Sequence, residues 1–184
     1  DEDGGWFNTT GTDPTVLLRL KEDYDGAEPS AGSVSVWNLL TLAHLSGPDE
    51  ALEYRKLIDR TLCRVPASAQ LARVVPMMMA AASTRESGLP QLIVVGQRGV
   101  SPTVALLRVF AESFLPGAVS VVVEPGAHQA AVAERLPWVS TMRQVDGRPT
   151  AYLCQDFSCQ APVTDPEDLR AQLVTLVDHR SSGR

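Results

Sequence analysis

The runs "QLIVVG" and "AVSVVVE", on either side of "SPTVALLRVFAESFL", constrain this chain more than any other feature. Each run is short, apolar and rich in β-branched residues, the pattern of a strand covered on both faces. The segment between them repeats apolar residues at helical spacing, through Val104, Leu107, Ala111 and Phe114. Strand, helix and strand within residues 91–124 make a βαβ unit, and a crossover of that kind joins parallel strands. A weaker helix follows around "HQAAVAERL". "TAYLC" then reads as a third strand, led in by the hairpin signal Asp146-Gly147. A final helix is expected from near Pro166, capped by Thr164 or Asp165, and running through Leu169, Leu173 and Leu176 to about Val177. Residues 89–184 are therefore expected to form a small α/β layer with parallel strands.

Residues 1–88 carry a different pattern. In "GGWFNTTGTDPTVLLRLK" two extended segments meet at the turn formers Gly11 to Pro14, which predicts a β-hairpin. Ser33 is a suitable N-cap for a helix whose apolar residues, Trp37 included, cover most of its circumference, so this helix is expected inside. Gly47 and Pro48 stop it. An amphipathic helix follows from Asp49 to Cys63, with Ala51, Tyr54, Ile58 and Leu62 facing in, which completes an αα-hairpin. Pro66 breaks the chain, and "VVPMMMAAAS" predicts a short buried helix with its methionines as core filling. The expected fold class is thus mixed α and β.

Composition excludes several functions. Of 184 residues, 44% are hydrophobic and 21% charged, as in an ordinary globular protein. The net charge of −6 disfavours nucleic acid as a partner, because phosphate contacts need a basic face. No apolar run approaches the ~20 residues of a membrane-spanning helix, so no membrane partner is expected. No signal peptide is recognisable, and the opening "DEDGGWF", without an initiating Met, reads as a piece of something longer. Three cysteines, an odd and low count, point to a reducing compartment and an intracellular, cytoplasmic location.

Asp23, Asp25 and Glu28 crowd the approach to the first helix. Carboxylates there are stabilised by the unpaired N–H groups and positive dipole end of the helix. Alternatively, Glu28, Ser30 and Ser33 stand at the rim of a cavity and hold ligand hydroxyls, with Asp25 and Glu28 as the candidates for acid and base. Spacing alone separates neither reading. "CQDFSC" holds Cys154 and Cys159, either as two packed thiols or as a reversible disulfide; these are the redox candidates. The pair lacks the Cys-x-x-Cys spacing of a thioredoxin-type centre. No second ligand pair completes a zinc site, so no metal is expected. "GQRGVS" after "QLIVV" matches neither a dinucleotide fingerprint nor a P-loop; it reads as a tight strand-to-helix turn, and no cofactor is expected.

The segments "GGWFNT", "LRLKEDYDGAEPSAGSVSVWNLLTLAHLSG", "QLIVVG" and "TAYLCQDFSCQAPVTDPEDLRAQL", in this order, resemble the C-terminal part of the spermatogenesis-associated protein 20 family. These are large thioredoxin-domain-containing proteins, and the resemblance spans nearly the whole chain. It implies an α/α toroid like that of six-hairpin glycosidases and sugar epimerases, and a link to carbohydrate metabolism. Residues 1–88 would supply the toroid's last hairpins, and residues 89–184 the family's α/β tail. The rest of the full-length protein, including a thioredoxin-like domain, would be a partner of this part. Inner helices of such toroids start at a central funnel, which would set Glu28, Ser30 and Ser33 at its mouth. The family usually has Asn where this chain has Gly32, which removes a side chain able to hold a ligand hydroxyl. A non-catalytic scaffold and thiol redox through Cys154 and Cys159 are the competing functions.

Overall fold

The computed structural model describes residues 1–22, 24–65 and 72–182, with side chains described through Asp178; Asp23 and the break at Pro66 lie outside them. The chain forms two compact units, Asp1–Glu86 and Ser87–Arg184.

In the first unit, α1 (Ala31–His44) and α2 (Pro48–Leu62) form the expected αα-hairpin, and α3 (Pro76–Ser87) follows. The cap of α1 is Ser30 rather than Ser33. Its Oγ accepts the Ser33 N–H at 3.1 Å, so the helix starts three residues earlier than the apolar pattern suggests. Val36, Leu40 and Ala43 of α1 and Ala51 and Ile58 of α2 are buried. The helix is less enclosed than its composition implies. Val34 and Leu42 remain exposed, and Trp37 is half-buried, its indole N–H donating to the Met77 carbonyl at 3.2 Å. The C-terminal His44 is buried and turns its Nδ1 onto the Leu40 carbonyl at 2.8 Å. Of the three methionines, Met78 alone is buried; Met77 is half-buried and Met79 exposed, so α3 is amphipathic rather than enclosed.

The expected β-hairpin does not form among the described residues before β1. The two extended segments touch where Asn8 N–H donates to the Leu20 carbonyl at 2.9 Å. Next to that contact the Arg19 guanidinium takes the Thr9 carbonyl at 3.0 Å, an acceptor that a ladder would need. Arg19 and Lys21 also stack over the Phe7 ring, at 4.0 and 4.9 Å from its centroid. Cationic side chains thus bridge the two segments in place of a ladder.

The second unit holds the sheet, in the order β2-β1-β3-β4. Strand β1 (Pro90–Val95) leads through α4 (Ser101–Ala111) to β2 (Val119–Val123), paired parallel to β1 from Gln91↔Val119 to Val95↔Val123. The βαβ reading holds. After α5 (Ala127–Arg135) and a 3-10 turn (Pro137–Thr141), β3 (Thr150–Gln155) runs antiparallel to β1 on its other side, so the sheet is mixed. Asp146 and Gly147 both have positive φ, 51° and 69°, the geometry of the anticipated two-residue hairpin. Strand β4 (Ser158–Cys159) pairs with β3, and α6 (Pro166–Ser182) ends the described chain. The Asp165 carboxylate caps α6 by accepting the Glu167 N–H at 2.8 Å.

Strand alternation divides the core into two layers. Leu92 and Val94 pack with Leu106, Phe110, Leu169 and Leu173 on one face; Ile93 and Val95 pack with Val123, Leu136 and Val139 on the other. Helix α4 turns Thr103, Leu106, Val109 and Phe110 inward, not the anticipated stripe. Val104 and Phe114 are exposed and Leu107 is half-buried. Two overlapping stripes were available in "TVALLRVF", and packing selects the one that carries both Leu106 and Phe110. Strand β2, at the sheet edge, is only partly buried, unlike the fully buried β1.

Candidate functional site

The approach to α1 folds around Asp25. Its backbone N–H donates to the Val74 carbonyl at 2.8 Å, tying the loop to the segment that leads into α3. Its carboxylate is buried and fully engaged. Oδ1 accepts the Ser30 N–H at 2.8 Å, and Oδ2 accepts the Met77 and Met78 N–H groups at 2.8 and 3.1 Å. Met77 and Met78 lie in the first turn of α3, so Asp25 caps that helix from a distant position in sequence and holds the start of α1 beside it. Burial by itself raises the Asp25 pKa. Donation from the Ser30 and Met78 N–H groups, with the polar Ser33 and Ser30 hydroxyls nearby, outweighs it and holds the carboxyl below its usual range.

This carboxylate is therefore a clamp: ionised, buried and bound to three backbone N–H groups, it serves the backbone rather than proton transfer. Glu28 lies on the surface, exposed, and does not reach the cavity described next.

Ser30 and Ser33 do line a cavity, of about 210 Å³, at the first turn of α1. Both are buried, and the Ser30 hydroxyl donates to Ser33 Oγ at 3.0 Å. Gly32 lies between them on the wall, and Val75 and Met78 supply apolar surface. The opposite wall comes from the N-terminal segment and the end of α2: Gly5, Trp6, Thr61 and Arg64. Thr61 fixes that wall. Its hydroxyl donates to the Leu57 carbonyl at 2.8 Å and accepts the Gly5 N–H at 3.0 Å. Gly4 makes the approach possible, with φ of 82° and a position where a Cβ would stand 2.7 Å from the Arg60 backbone. The Lys21 ammonium holds the same segment through the Asp1 carboxylate and the Gly4 carbonyl.

Val65 and Glu22 also line the cavity, so among the described residues it carries one carboxylate and, in Arg64, one guanidinium. Both are exposed at the rim, and neither forms an ion pair among the described residues. Of the residues expected at a ligand site, the structure thus brings Ser30 and Ser33 together, places Asp25 behind them as support and leaves Glu28 outside. Glu22 and Trp6 sat in segments already singled out, but no spacing rule pointed to them. Arg64 has no sequence signal, because it follows the end of α2 and meets the cavity through tertiary folding.

Cys154 and Cys159 are joined in a disulfide, not present as two thiols. They face each other across the β3–β4 pair. Cys63 is free and exposed. Among the described residues no group of three or more His, Cys, Asp or Glu is arranged to hold a metal ion, and no helix is long and apolar enough to cross a membrane.

Over 92% of its length the chain is 35% identical to spermatogenesis-associated protein 20 of Homo sapiens and of Rattus norvegicus, and 34% identical to that of Mus musculus. It spans 21% of the length of each of these relatives. No family model matches the chain, and no solved structure matches it. With more than a third of its residues shared along nine-tenths of its length, the chain belongs to the spermatogenesis-associated protein 20 family.

Proposed function

We infer that the cavity at the start of α1 is a binding subsite for one small, neutral, polyhydroxyl ligand of the sugar type. The observation that carries this reading is the lining itself. Among the described residues one carboxylate and one guanidinium offer acceptors and donors with no net charge, the Ser30–Ser33 pair makes the wall polar, and Trp6 offers an aromatic face. A phosphate would meet Glu22 as well as Arg64, so an uncharged ligand fits better. The volume suits a single ring: 210 Å³ is below the roughly 300–1,000 Å³ of drug-sized pockets.

On this reading the α1–α2 hairpin is part of a larger helical ring of the glycosidase or epimerase type, linked to carbohydrate metabolism. The remainder of the full-length protein, with a thioredoxin-like domain, completes it. The part in hand binds rather than cleaves. Glycoside hydrolysis commonly uses two carboxylates across the bond, and among the described residues Glu22 is the one carboxylate that lines this cavity. With Asp25 engaged by backbone N–H groups and Glu28 outside, a non-catalytic scaffold that takes no ligand is the second reading, and an accessible pocket favours the first.

Calorimetric titration of the chain with a panel of methyl glycosides, inorganic phosphate and acetate tests the proposal. Glycoside binding, weakened at least tenfold in the Glu22→Gln, Arg64→Met double variant, is the expected result. Glycoside binding that the double variant leaves intact, or binding of phosphate alone, contradicts it.

A further inference from the structure

We propose that the Cys154–Cys159 bridge is a dithiol-cleavable clasp that sets how tightly the chain is held at Ser87–Leu89, the entry to β1. The bridge closes a two-residue hairpin, so the ring it forms is small and removes little entropy from the unfolded chain. General stability is a weak reason for such a bridge. The local geometry gives a stronger one. Asp156 and Phe157, the two turn residues, both have left-handed backbones, with φ of 45° and 66°, and neither is glycine. Such a conformation persists only when its surroundings enforce it. Strand β4 has the two pairs Cys154↔Cys159 and Gln155↔Ser158, and the bridge is the covalent one of the ties on this turn, beside the Asp156 N–H bond to the Leu89 carbonyl at 3.4 Å and the edge contact of Phe157 with Trp138.

The strained turn grips the entry to β1. The Asp156 carboxylate accepts the Leu89 N–H at 3.2 Å, and the Gln155 amide donates to the Ser87 carbonyl. Gly88 fits beneath: a Cβ there would meet Gln155 Cγ at 2.9 Å and Asp156 Oδ2 at 3.0 Å. Opening the bridge lets the turn relax and releases these contacts. Strand β3 stays in place, because six residue pairs tie it to β1.

The two sulfurs differ in access. Cys154 is buried against the Ile93–Val95 core layer, and Cys159 is exposed on the edge strand. The thiolate of a small dithiol attacks Cys159 Sγ; a mixed disulfide forms and Cys154 leaves as a thiolate that takes up a proton. The second thiol of the reductant then attacks the mixed disulfide and releases Cys159, also protonated. Two electrons and two protons reach the bridge, and the dithiol becomes a disulfide. A monothiol stops at the first step, because Cys154 remains opposite Cys159 and recaptures it.

The oxidised chain is incubated under native conditions with dithiothreitol or with glutathione at equal thiol concentration, then alkylated and weighed. Dithiothreitol is expected to expose Cys154 and Cys159, and glutathione at least tenfold less; Cys63 is alkylated throughout. Amide exchange at Leu89 and Gln160 is expected to accelerate at least tenfold on reduction, and equally in Cys159→Ser, with Ile93 and Val94 unchanged. A bridge that opens only on denaturation overturns the proposal. So does unchanged exchange at Leu89 in both the reduced chain and Cys159→Ser, or acceleration that extends to Ile93 and Val94.

Discussion

Asp25 shows how one residue can look catalytic in sequence and prove structural in space. A carboxylate before a helix suggests either a cap or an acid, and the choice rests on where its oxygens go. Here they take N–H groups from Ser30, Met77 and Met78. Asp25→Asn replaces one acceptor oxygen with a donor that faces those N–H groups. It is expected to cost about 2–3 kcal/mol, the scale of hydrogen bonds to a charged group. The pH dependence has a definite sign. The folded pKa lies below the unfolded one, so the contribution is complete above the unfolded value and is lost as pH falls through the folded value. Urea midpoints measured across the acid range are expected to converge for the two proteins as pH falls. Two glycines make opposite predictions. A Cβ on Gly32 would meet nothing closer than 3.5 Å, so Gly32→Ala is expected to raise stability by roughly 0.5–1 kcal/mol through helix propensity. A Cβ on Gly96 would stand 2.8 Å from Thr103 Oγ1 and 2.9 Å from Pro149 Cβ, so Gly96→Ala is expected to lower it by about 1–3 kcal/mol. Denaturant unfolding of both variants decides.

Elements were legible where periodicity and termination signals agreed. "QLIVVG" and "AVSVVVE" pair in parallel because their apolar runs and intervening helix length leave few alternatives, and Asp146-Gly147 makes the turn its chemistry favours. The inward face of α4 was not legible, since "TVALLRVF" offers two stripes and only the packing of Leu106 and Phe110 selects one. The N-terminal hairpin was misread for a related reason. The turn formers Gly11 to Pro14 set Arg19 in an extended segment, whereas its guanidinium spans the gap and occupies the Thr9 carbonyl. Cavity residues such as Arg64 and Thr61 were illegible because they are remote from Ser30 in sequence. The central position of β1 carries its own prediction. Val95→Asp places a carboxylate among Val123, Leu136 and Val139 with no designed partner, and is expected to destabilise the second unit by about 3–5 kcal/mol. A thermal midpoint equal to that of the parent chain would contradict the two-layer core.

At the scale of the whole molecule, the two units separate two kinds of chemistry. The first holds the cavity, with Asp25 as its support; the second holds the mixed sheet and the disulfide. The chain spans about a fifth of the length of its mammalian relatives, so its counterpart in them is part of a larger polypeptide. The account rests most heavily on the claim that a neutral polyhydroxyl ligand enters beside α1. Backbone amide resonances of the labelled chain, followed during titration with a methyl glycoside, test it most directly. Saturable shifts at Gly5, Trp6, Gly32 and Ser33, with the amides of β1 unmoved, are the result the account predicts. A full titration that leaves those four resonances in place, or moves only resonances of the second unit, would contradict it.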